Sequence, residues 1–324
     1  MFISTIICTR NRGESFRQTV DSLFCRANLE EPNWELLVVE TSKDRTLEIC
    51  RDFERRFPGR FRFLTESRIG KSHALNRAIV EARGDILAFT DDDVLFTHDY
   101  VRSIRTVFTS FPVDAVQGRV VLDCEAGWPP WLDETYASMA NYRDFGQEVA
   151  PLKGTLCGTN MIVRKQLFEQ VGGFSPELGP GGIGVFEDTE ISLRMRDRGH
   201  RLLYAPQILI RHQWARNRLT KAFIRKRMFL HGRVNAFYDD LPVSMGRFGL
   251  YVVKESFLKE LQALWHLWMG RSAKALHCQC EALQQAGLLY QHWLFRRGVL
   301  RTFSRGVLLR PSTETQTVKS LEFS

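Results

Sequence analysis

Residues 85–94, DILAFTDDDV, constrain the fold of this chain more than any other segment. An apolar run of strand length ends there in three consecutive carboxylates, Asp91, Asp92 and Asp93. Adjacent anions at the end of a core strand repel one another, so the arrangement is costly unless a cation lies among them. Because ligands of α/β sheets gather at the carboxyl ends of the strands, the segment indicates a Mg²⁺ or Mn²⁺ site. An aspartate-rich turn or a helix N-cap is an equally consistent interpretation.

The composition is that of a globular protein with a sizeable core, since 44% of the 324 residues are hydrophobic and 25% are charged. No segment approaches the roughly 18 uninterrupted apolar residues of a membrane span, and the opening apolar run is too short for a signal peptide. The seven cysteines are scattered and odd in number, which favours a reducing compartment. We therefore expect a cytoplasmic protein. The net charge of +8 favours anionic partners.

Strand and helix patterns alternate over the first 120 residues, which predicts a parallel sheet with crossover helices. The candidate strands are 3–8, 34–39, 61–64, 86–89 and 115–121. Apolar spacing predicts a helix over 72–82, with Ser72 as its N-cap. Residues 122–150 are rich in Gly, Pro, Trp and Tyr and predict a long excursion over the sheet.

Regular patterns resume after the excursion. The predicted elements are a strand over 155–163, a short helix to 170, a helix from 187 and short strands over 202–204 and 208–210. The helix from 187 begins with Glu187 and Asp188, and capping is one interpretation of this acidic pair because the helix dipole favours it. His212 follows the last predicted strand, and the chain beyond 217 is basic, aromatic and mostly helical in pattern.

The order of these segments resembles that of the family 2 glycosyltransferases. The segments that carry the resemblance are IICTRNR (6–12), VVETSKDRT (38–46), GKSHALNRAI (70–79), GDILAFTDDDV (84–94), GTNMIVRKQLFEQVGGF (158–174), EDTEISLRMRDRG (187–199) and YAPQILIRH (204–212). The resemblance implies an α/β protein with the GT-A fold, a Rossmann-like, mixed but mostly parallel sheet flanked by helices, with a C-terminal helical extension. The implied catalytic domain is 1–217, with a nucleotide-sugar half of about 1–121 and an acceptor half of about 122–217. A basic, mainly helical region follows over 218–324.

The same resemblance implies an inverting, metal-dependent enzyme of the hexosyltransferase type. Asp91 and Asp93 form the DxD signature, which holds Mn²⁺ or Mg²⁺ on the donor diphosphate and offsets its charge as it leaves. Asp188 is the implied general base, and Glu187 orients the acceptor or the base. His212 is implied to complete the metal or diphosphate site. A buried, hydrogen-bonded core histidine is the alternative for His212.

Residues after the first two strands are implied to cradle the nucleotide. The family usually has Asp-Asn-x-Ser after the second strand, whereas this chain has Glu40, Thr41 and Ser42, so base recognition stays open with UDP as the commonest choice. Lys71 is expected to face the diphosphate or the ribose, or else to be a solvated lysine at a helix start. The implied nucleotide-binding residues are Thr9, Arg10, Asn11, Glu40, Ser42, Lys71, Asp91 and Asp92.

The excursion is the segment that lines the acceptor side in this family. Its aromatic residues suit a saccharide or lipid-linked saccharide acceptor, because aromatic faces pack on sugar C–H surfaces. Anchoring a long loop to the core is equally consistent. The residues concerned are Trp128, Trp131, Tyr136 and Tyr142. The QxxRW signature of processive synthases is approached at 213–216, but Asn217 stands where its second tryptophan belongs, so we expect single additions.

Basic and apolar residues interleave in the C-terminal region, as at Arg225, Lys226 and Arg227. Basic amphipathic helices with tryptophans can lie on an anionic membrane, which would place the enzyme at the inner face of the membrane beside a lipid-linked acceptor. A helical appendage packed on the catalytic domain is the alternative. Nucleic acid is not an expected partner, because no recognised reader motif accompanies the charge.

The resemblance thus favours a transferase of polysaccharide or cell-envelope biosynthesis that uses a nucleotide sugar, with UDP-sugar as the expected donor. A sugar-phosphate nucleotidyltransferase is one alternative, but it would need a GxGxR-type loop after the first strand, which TRNRGES lacks. A catalytically degenerate scaffold at the membrane is the other alternative. Both groups of carboxylates are intact in the sequence, which argues against a scaffold.

Overall fold

A computed structural model of the chain describes residues 1–124, 127, 129–131, 141–214, 218–238 and 245–299. The strands are β1 (Ile3–Thr9), β2 (Trp34–Glu40), β3 (Phe61–Thr65), β4 (Ile86–Thr90), β5 (Val94–Phe96), β6 (Ala115–Asp123), β7 (Ala150–Pro151), β8 (Asn160–Arg164) and β9 (Leu202–Gln213). The helices are α1 (Gly13–Leu23), α2 (Arg26–Glu30), α3 (Thr46–Arg56), α4 (Lys71–Glu81), α5 (Tyr100–Ser110), α6 (Leu167–Val171), α7 (Glu187–Asp197), α8 (Lys221–Asn235), α9 (Met245–Trp268) and α10 (Ser272–Arg296).

The strands form one mixed sheet in the order β3-β2-β1-β4-β8-β6-β9-β5, and β7 pairs with β9. Strand β1 is parallel to both β2 and β4, so the connections between these strands cross over through helices. Strand β8 runs antiparallel between β4 and β6. The predicted mixed, mostly parallel sheet flanked by helices is confirmed. Its topology places the carboxyl ends of β1 and β4 side by side.

Two buried apolar clusters cover the two faces of the sheet. Adjacent residues of one strand contribute to opposite clusters, as Ile6 and Ile7 do in β1, because side chains alternate along a strand. Helices α1, α3 and α5 cover one face, whereas α4, α6 and α7 cover the other. Since both faces are covered, both sets of alternating side chains in the central strands are buried, including the polar Ser4 and Thr5 of β1.

Three local predictions differ from the structure. Helix α4 begins at Lys71, so Ser72 is not its N-cap, and the Ser72 hydroxyl instead donates to the Leu178 carbonyl at 3.2 Å. The strand predicted over 155–163 begins only at Asn160. The two short strands predicted near the end of the catalytic part are one strand, β9, because a β-bulge shifts its register against β6 and lets pairing continue. His212 therefore lies within β9 and does not follow it.

The C-terminal helical extension is present. Helix α10 packs against both α8 and α9. The backbones of α8 and α10 approach each other closely at Gly232 and Gly287. A Cβ atom at Gly287 would lie 2.1 Å from the Phe229 carbonyl oxygen, so the contact between α8 and α10 requires glycine there. Within the described ranges, none of the helices is both long and apolar enough to cross a membrane.

Candidate active site

A cavity of about 410 Å³ opens at the carboxyl ends of β1 and β4. Most of the predicted site residues line it, although they come from distant parts of the chain. These residues are Thr9, Arg10, Lys71, Asp91, Asp92, Asp93, Glu187 and Asp188. We call Asp91, Asp92 and Asp93 the strand-end cluster and Glu187 with Asp188 the helix pair.

Asp91, Asp93 and His212 form a group that could hold a metal ion. Each offers one ligand atom, and these atoms all lie within 4.8 Å of one another. His212 reaches the group because β9 pairs antiparallel with β5, which places His212 opposite Val94. Its Nε2 lies 3.1 Å from Asp93 Oδ1, and the ring is fully buried. Two carboxylates and an imidazole are a donor set that suits a divalent cation such as Mn²⁺.

The three carboxylates of the strand-end cluster differ in their surroundings. Burial disfavours the Asp91 charge, but the Lys71 ammonium and His212 outweigh it and hold the pKa of Asp91 below its usual range. Asp93 behaves similarly, because contact with His212 outweighs burial and lowers its pKa. Asp92 is not part of the group that could hold a metal ion, and its carboxylate accepts a 2.7 Å hydrogen bond from the Thr9 hydroxyl. Burial, with the neighbouring Asp93 charge, raises the pKa of Asp92 to about 6.

Lys71 lies between the strand-end cluster and the helix pair. Its Nζ is 2.8 Å from Asp91 Oδ1 and 3.6 Å from Glu187 Oε1. Burial opposes its charge, but these two carboxylates raise the pKa of Lys71 well above its ordinary value. The backbone N–H of Lys71 donates to the Pro180 carbonyl at 2.8 Å, which joins the loop between α6 and α7 to the start of α4. Lys71 is thus a bridging cation and not a solvated lysine.

The helix pair enters the cavity through an unusual backbone turn. Phe186, the residue before α7, has a φ of 87°, a left-handed conformation that non-glycine residues rarely adopt. Asp188 Oδ2 accepts a 2.7 Å hydrogen bond from the Gly158 backbone N–H. Burial raises the pKa of Glu187, against the opposing effect of Lys71. Both residues of the helix pair line the cavity.

Three predicted nucleotide residues do not line the cavity. The Ser42 hydroxyl accepts a 2.8 Å hydrogen bond from the Asn11 backbone N–H, and the buried Glu40 carboxylate accepts one from the Ser42 backbone N–H. These side chains hold the ends of β1 and β2 together, whereas Thr41 between them reaches the cavity. Glu40 is the position at which this chain departs from the family pattern. Its carboxylate bonds to the backbone two residues further on and does not line the cavity.

The aromatic residues of the excursion have mixed outcomes. Trp131 packs, partly buried, against the apolar cluster that includes Trp214, which supports the loop-anchor interpretation. The Tyr142 hydroxyl donates to Asp144 at 3.4 Å. Neither Trp131 nor Tyr142 lines the cavity, whereas Trp214 does. Trp128, Tyr136 and residues 215–217 lie outside the described residues.

Thr159, Arg218 and Arg227 are among the residues at this site that the sequence patterns missed. Thr159 donates a 2.7 Å hydrogen bond to Asp91, and only the pairing of β8 with β4 brings it there. Arg218 lies 3.0 Å from Asp93. Arg227 of α8 lines the cavity, although its sequence context predicted a basic residue that either faces a membrane or belongs to a packed appendage. Both arginines reach the site because the chain after β9 folds back over it, which no local pattern signals.

The family model described as "Glycosyl transferase family 2" matches residues 4–172. Glycosyltransferase AglE of Haloferax volcanii is 26% identical over 209 residues, which are 64% of this chain and 66% of that protein. Beta-monoglucosyldiacylglycerol synthase of Trichormus variabilis is 25% identical over 201 residues, 60% of this chain and 41% of that protein. The chain therefore spans less than two thirds of the length of these relatives.

A solved structure shows the same fold. The mannosyltransferase PcManGT from Pyrobaculum calidifontis, in complex with GDP-Man and Mn²⁺, superposes with a TM-score of 0.54 at 20% identity. The match covers 91% of this chain and 79% of that chain.

Proposed function

The chain belongs to glycosyl transferase family 2, and from this premise we propose that it transfers a sugar from a nucleoside-diphosphate donor to an acceptor hydroxyl. One observation carries the proposal. The metal-binding group of Asp91, Asp93 and His212 adjoins the same cavity that the Asp188 carboxylate lines. With a cation on the first group and Asp188 as base, the leaving diphosphate and the acceptor hydroxyl would lie within reach of each other in one cavity, which supports the proposal.

Asp91, Asp93 and His212 would hold the divalent cation, Mn²⁺ or Mg²⁺, which when bound stabilises the negative charge of the departing diphosphate. Thr9 and Arg10 bind the nucleotide at the end of β1, and Asp92 is held by Thr9.

Asp188 takes the proton of the acceptor hydroxyl as its oxygen attacks the anomeric carbon. The new bond forms on the face opposite the bond that breaks, and the nucleoside diphosphate leaves with the electron pair, so the anomeric configuration inverts. The hydrogen bond from the Gly158 backbone N–H holds the Asp188 carboxylate in place for this step. Glu187, paired with Lys71, orients the acceptor or the base.

The acceptor is a saccharide or a lipid-linked saccharide in polysaccharide or cell-envelope biosynthesis. The relative named beta-monoglucosyldiacylglycerol synthase supports a lipid-linked acceptor. UDP is the donor base expected from the resemblance, whereas PcManGT was solved with GDP-Man, so both bases belong in a screen. We assign the proposed catalytic residues to 1–217, with Arg218 and Arg227 added to the cavity from the region that follows, and we place the enzyme in the cytoplasm, at the inner face of the membrane.

The test is a screen of UDP-, GDP- and dTDP-sugars by calorimetry and by release of the nucleoside diphosphate, each with Mn²⁺ and with EDTA. We expect Mn²⁺-dependent binding and slow hydrolysis of one donor. If no nucleotide sugar binds with Mn²⁺, the proposal fails. Once an acceptor is known, the anomeric configuration of the product, read by NMR, tests the inverting displacement.

A further inference from the structure

Thr159, the residue before β8, holds one oxygen of the Asp91 carboxylate. Strand β8 pairs antiparallel with β4, with Asn160 opposite Thr90, and this register places Thr159 beside Asp91. The Thr159 side chain is buried, and its hydroxyl donates a 2.7 Å hydrogen bond to Asp91 Oδ2. The other oxygen, Oδ1, lies 2.8 Å from Lys71 Nζ. Each oxygen is thus held by a different side chain, so the carboxylate cannot rotate without losing a contact.

The other partners of the Thr159 hydroxyl fix the direction of its proton. Asn141 Nδ2 donates to Thr159 Oγ1 at 2.8 Å, and the Cys157 thiol donates to the same oxygen at 3.6 Å. A hydroxyl has one proton and two lone pairs, and an amide nitrogen can only donate. Both lone pairs of Thr159 therefore accept, and its proton is left for Asp91. The hydrogen bonds run in one direction, from Asn141 in the excursion through Thr159 to Asp91.

A buried glutamine holds the backbone on both sides of Thr159. Gln117 of β6 is fully buried, and its Oε1 accepts a 2.6 Å hydrogen bond from the Cys157 backbone N–H. Its Nε2 donates to the Asn160 carbonyl at 3.2 Å. Buried amides of this kind fix the backbone they bind, because losing a partner would leave a polar group without one. The position of the Thr159 hydroxyl is therefore set by the packing of β6 against β8.

The residue before Thr159 contacts the proposed base. The Gly158 backbone N–H donates to Asp188 Oδ2 at 2.7 Å. Consecutive residues of one fixed segment thus contact Asp91 and Asp188, which come from different parts of the chain. The hydroxyl of Thr159 and the N–H of Gly158 therefore tie the metal-binding group and the helix pair to the same short piece of backbone.

We propose that Thr159 is a positioning residue, which holds the Asp91 carboxylate in the orientation that binds the divalent cation together with Asp93 and His212. A metal ligand that is already held by hydrogen bonds does not have to be ordered when the ion binds, so loss of such a partner lowers metal affinity. Asn141 supports Thr159 in this role by fixing its proton. The inference rests on the proposed function, because the cation concerned is the one that would bind the donor diphosphate.

Titration of the full chain with Mn²⁺, followed by the electron paramagnetic resonance signal of the free ion, tests the proposal. The titration is done with Mn²⁺ alone and with UDP or GDP present. Thr159→Val removes the hydroxyl and keeps the branched shape, and it should raise the dissociation constant of Mn²⁺ at least ~10-fold. Thr159→Ser keeps the hydroxyl and should restore most of the affinity. Thr90→Val is the matched control and should bind as wild type does, because Thr90 is buried next to Asp91 and its hydroxyl has no hydrogen-bond partner among the described residues.

Circular dichroism and thermal unfolding without Mn²⁺ establish that each variant folds. If Thr159→Val does not fold, Asn141→Gly takes its place, because glycine accepts the φ of 66° at this position and the change removes the amide that directs the Thr159 proton. We expect a smaller loss of Mn²⁺ affinity in Asn141→Gly, of a few-fold.

The outcomes separate this inference from the proposed function. If wild-type protein binds Mn²⁺ and Thr159→Val binds it equally well, the inference fails and the proposed function stands. The same holds if Thr159→Ser or Thr90→Val loses as much affinity as Thr159→Val, or if Asn141→Gly in its place loses none. If wild-type protein binds no Mn²⁺ under any of these conditions, the inference and the proposed function fail together.

Discussion

Lys71 holds its ammonium group 2.8 Å from the Asp91 carboxylate, and this contact joins two parts of the cavity that are far apart in sequence. The same Nζ lies 3.6 Å from Glu187, so one cation contacts both the strand-end cluster and the helix pair. Its position follows from the fold, since Lys71 is the first residue of α4 and its N–H is fixed by Pro180. The contact limits repulsion between the two sets of carboxylates before any metal or donor binds.

Asp93→Asn should weaken Mn²⁺-dependent nucleotide binding. The substitution removes an anionic ligand while keeping the side-chain shape, and it leaves His212 and Arg218 beside a neutral amide. We expect the dissociation constant of the nucleotide to rise at least ~10-fold, which is about 1.4 kcal/mol. Calorimetry with UDP, GDP and dTDP in Mn²⁺ measures it. The control is Asp21→Asn at an exposed position, and unchanged affinity for all three nucleotides would make the strand-end cluster a simple turn.

Asp188→Asn should abolish sugar transfer while donor affinity stays nearly intact. The base acts on the acceptor hydroxyl, and an amide cannot take its proton, so the rate should fall by roughly 10² to 10⁴. The Gly158 N–H can still donate to the amide oxygen, which preserves the local structure. Asp197→Asn, at the exposed far end of the same helix, is the matched control. Transfer by Asp188→Asn within a few-fold of wild type would place the base elsewhere.

The fold was predictable where the signals are local. The apolar runs of β1 to β4 and the spacing in α4 are properties of short segments, and the structure confirms the parallel pairing of these strands that they predict. Strand β8 pairs between β4 and β6, and no local sequence pattern predicts this pairing because its partners are far apart in the sequence. The single strand β9 is similar, because it depends on a bulge against β6. Helix α4 begins one residue earlier than predicted because the chain turns at Gly70, whose φ is 136°.

The site was predictable where chemistry follows directly from a strand or helix end. Asp91, Asp93 and Asp188 stand at such ends, and the structure gathers them around one cavity, although their roles stay predictions. Arg218 and Arg227 were not predictable as site residues. They follow the catalytic part in sequence and reach the cavity only because the C-terminal helices fold back onto it, and a basic amphipathic pattern looks the same on a membrane-facing helix.

Arg227→Gln should weaken an acceptor that carries a phosphate more than one that does not. The Arg227 guanidinium lines the cavity, and its Nε has no hydrogen-bond partner among the described residues. Burial lowers its pKa, with the Asp188 charge acting against this. A cation in the cavity that interacts with the Asp188 charge suits an acidic group of the acceptor. We expect the KM for a sugar phosphate to rise at least ~10-fold, with the KM for the unphosphorylated sugar nearly unchanged.

Arg225→Gln is the control for this change, because Arg225 lies in the same helix and contacts Gln279 of α10. Arg227→Lys should restore part of the preference for the phosphorylated acceptor, since it keeps the charge without the planar fork. An equal loss of donor affinity in Arg227→Gln would assign Arg227 to the donor diphosphate and contradict the prediction.

His231→Gln should reduce the loss of stability in mild acid. The His231 ring packs edge-on to Phe186, with ring centroids 5.7 Å apart, and burial together with the Arg227 charge lowers its pKa to about 4. The ordinary pKa is 6.5, so the folded protein keeps the ring neutral where the unfolded chain would protonate it. The stability linked to this difference is complete above pH 6.5 and is lost as the pH falls toward 4. Wild-type protein should therefore lose more free energy of unfolding between about pH 7 and pH 5 than His231→Gln, by up to ~1.4 kcal/mol per pH unit.

Urea unfolding at both pH values measures the difference, with His98→Gln at an exposed position as the control. If wild type and His231→Gln lose the same free energy, the buried ring has no part in the acid sensitivity.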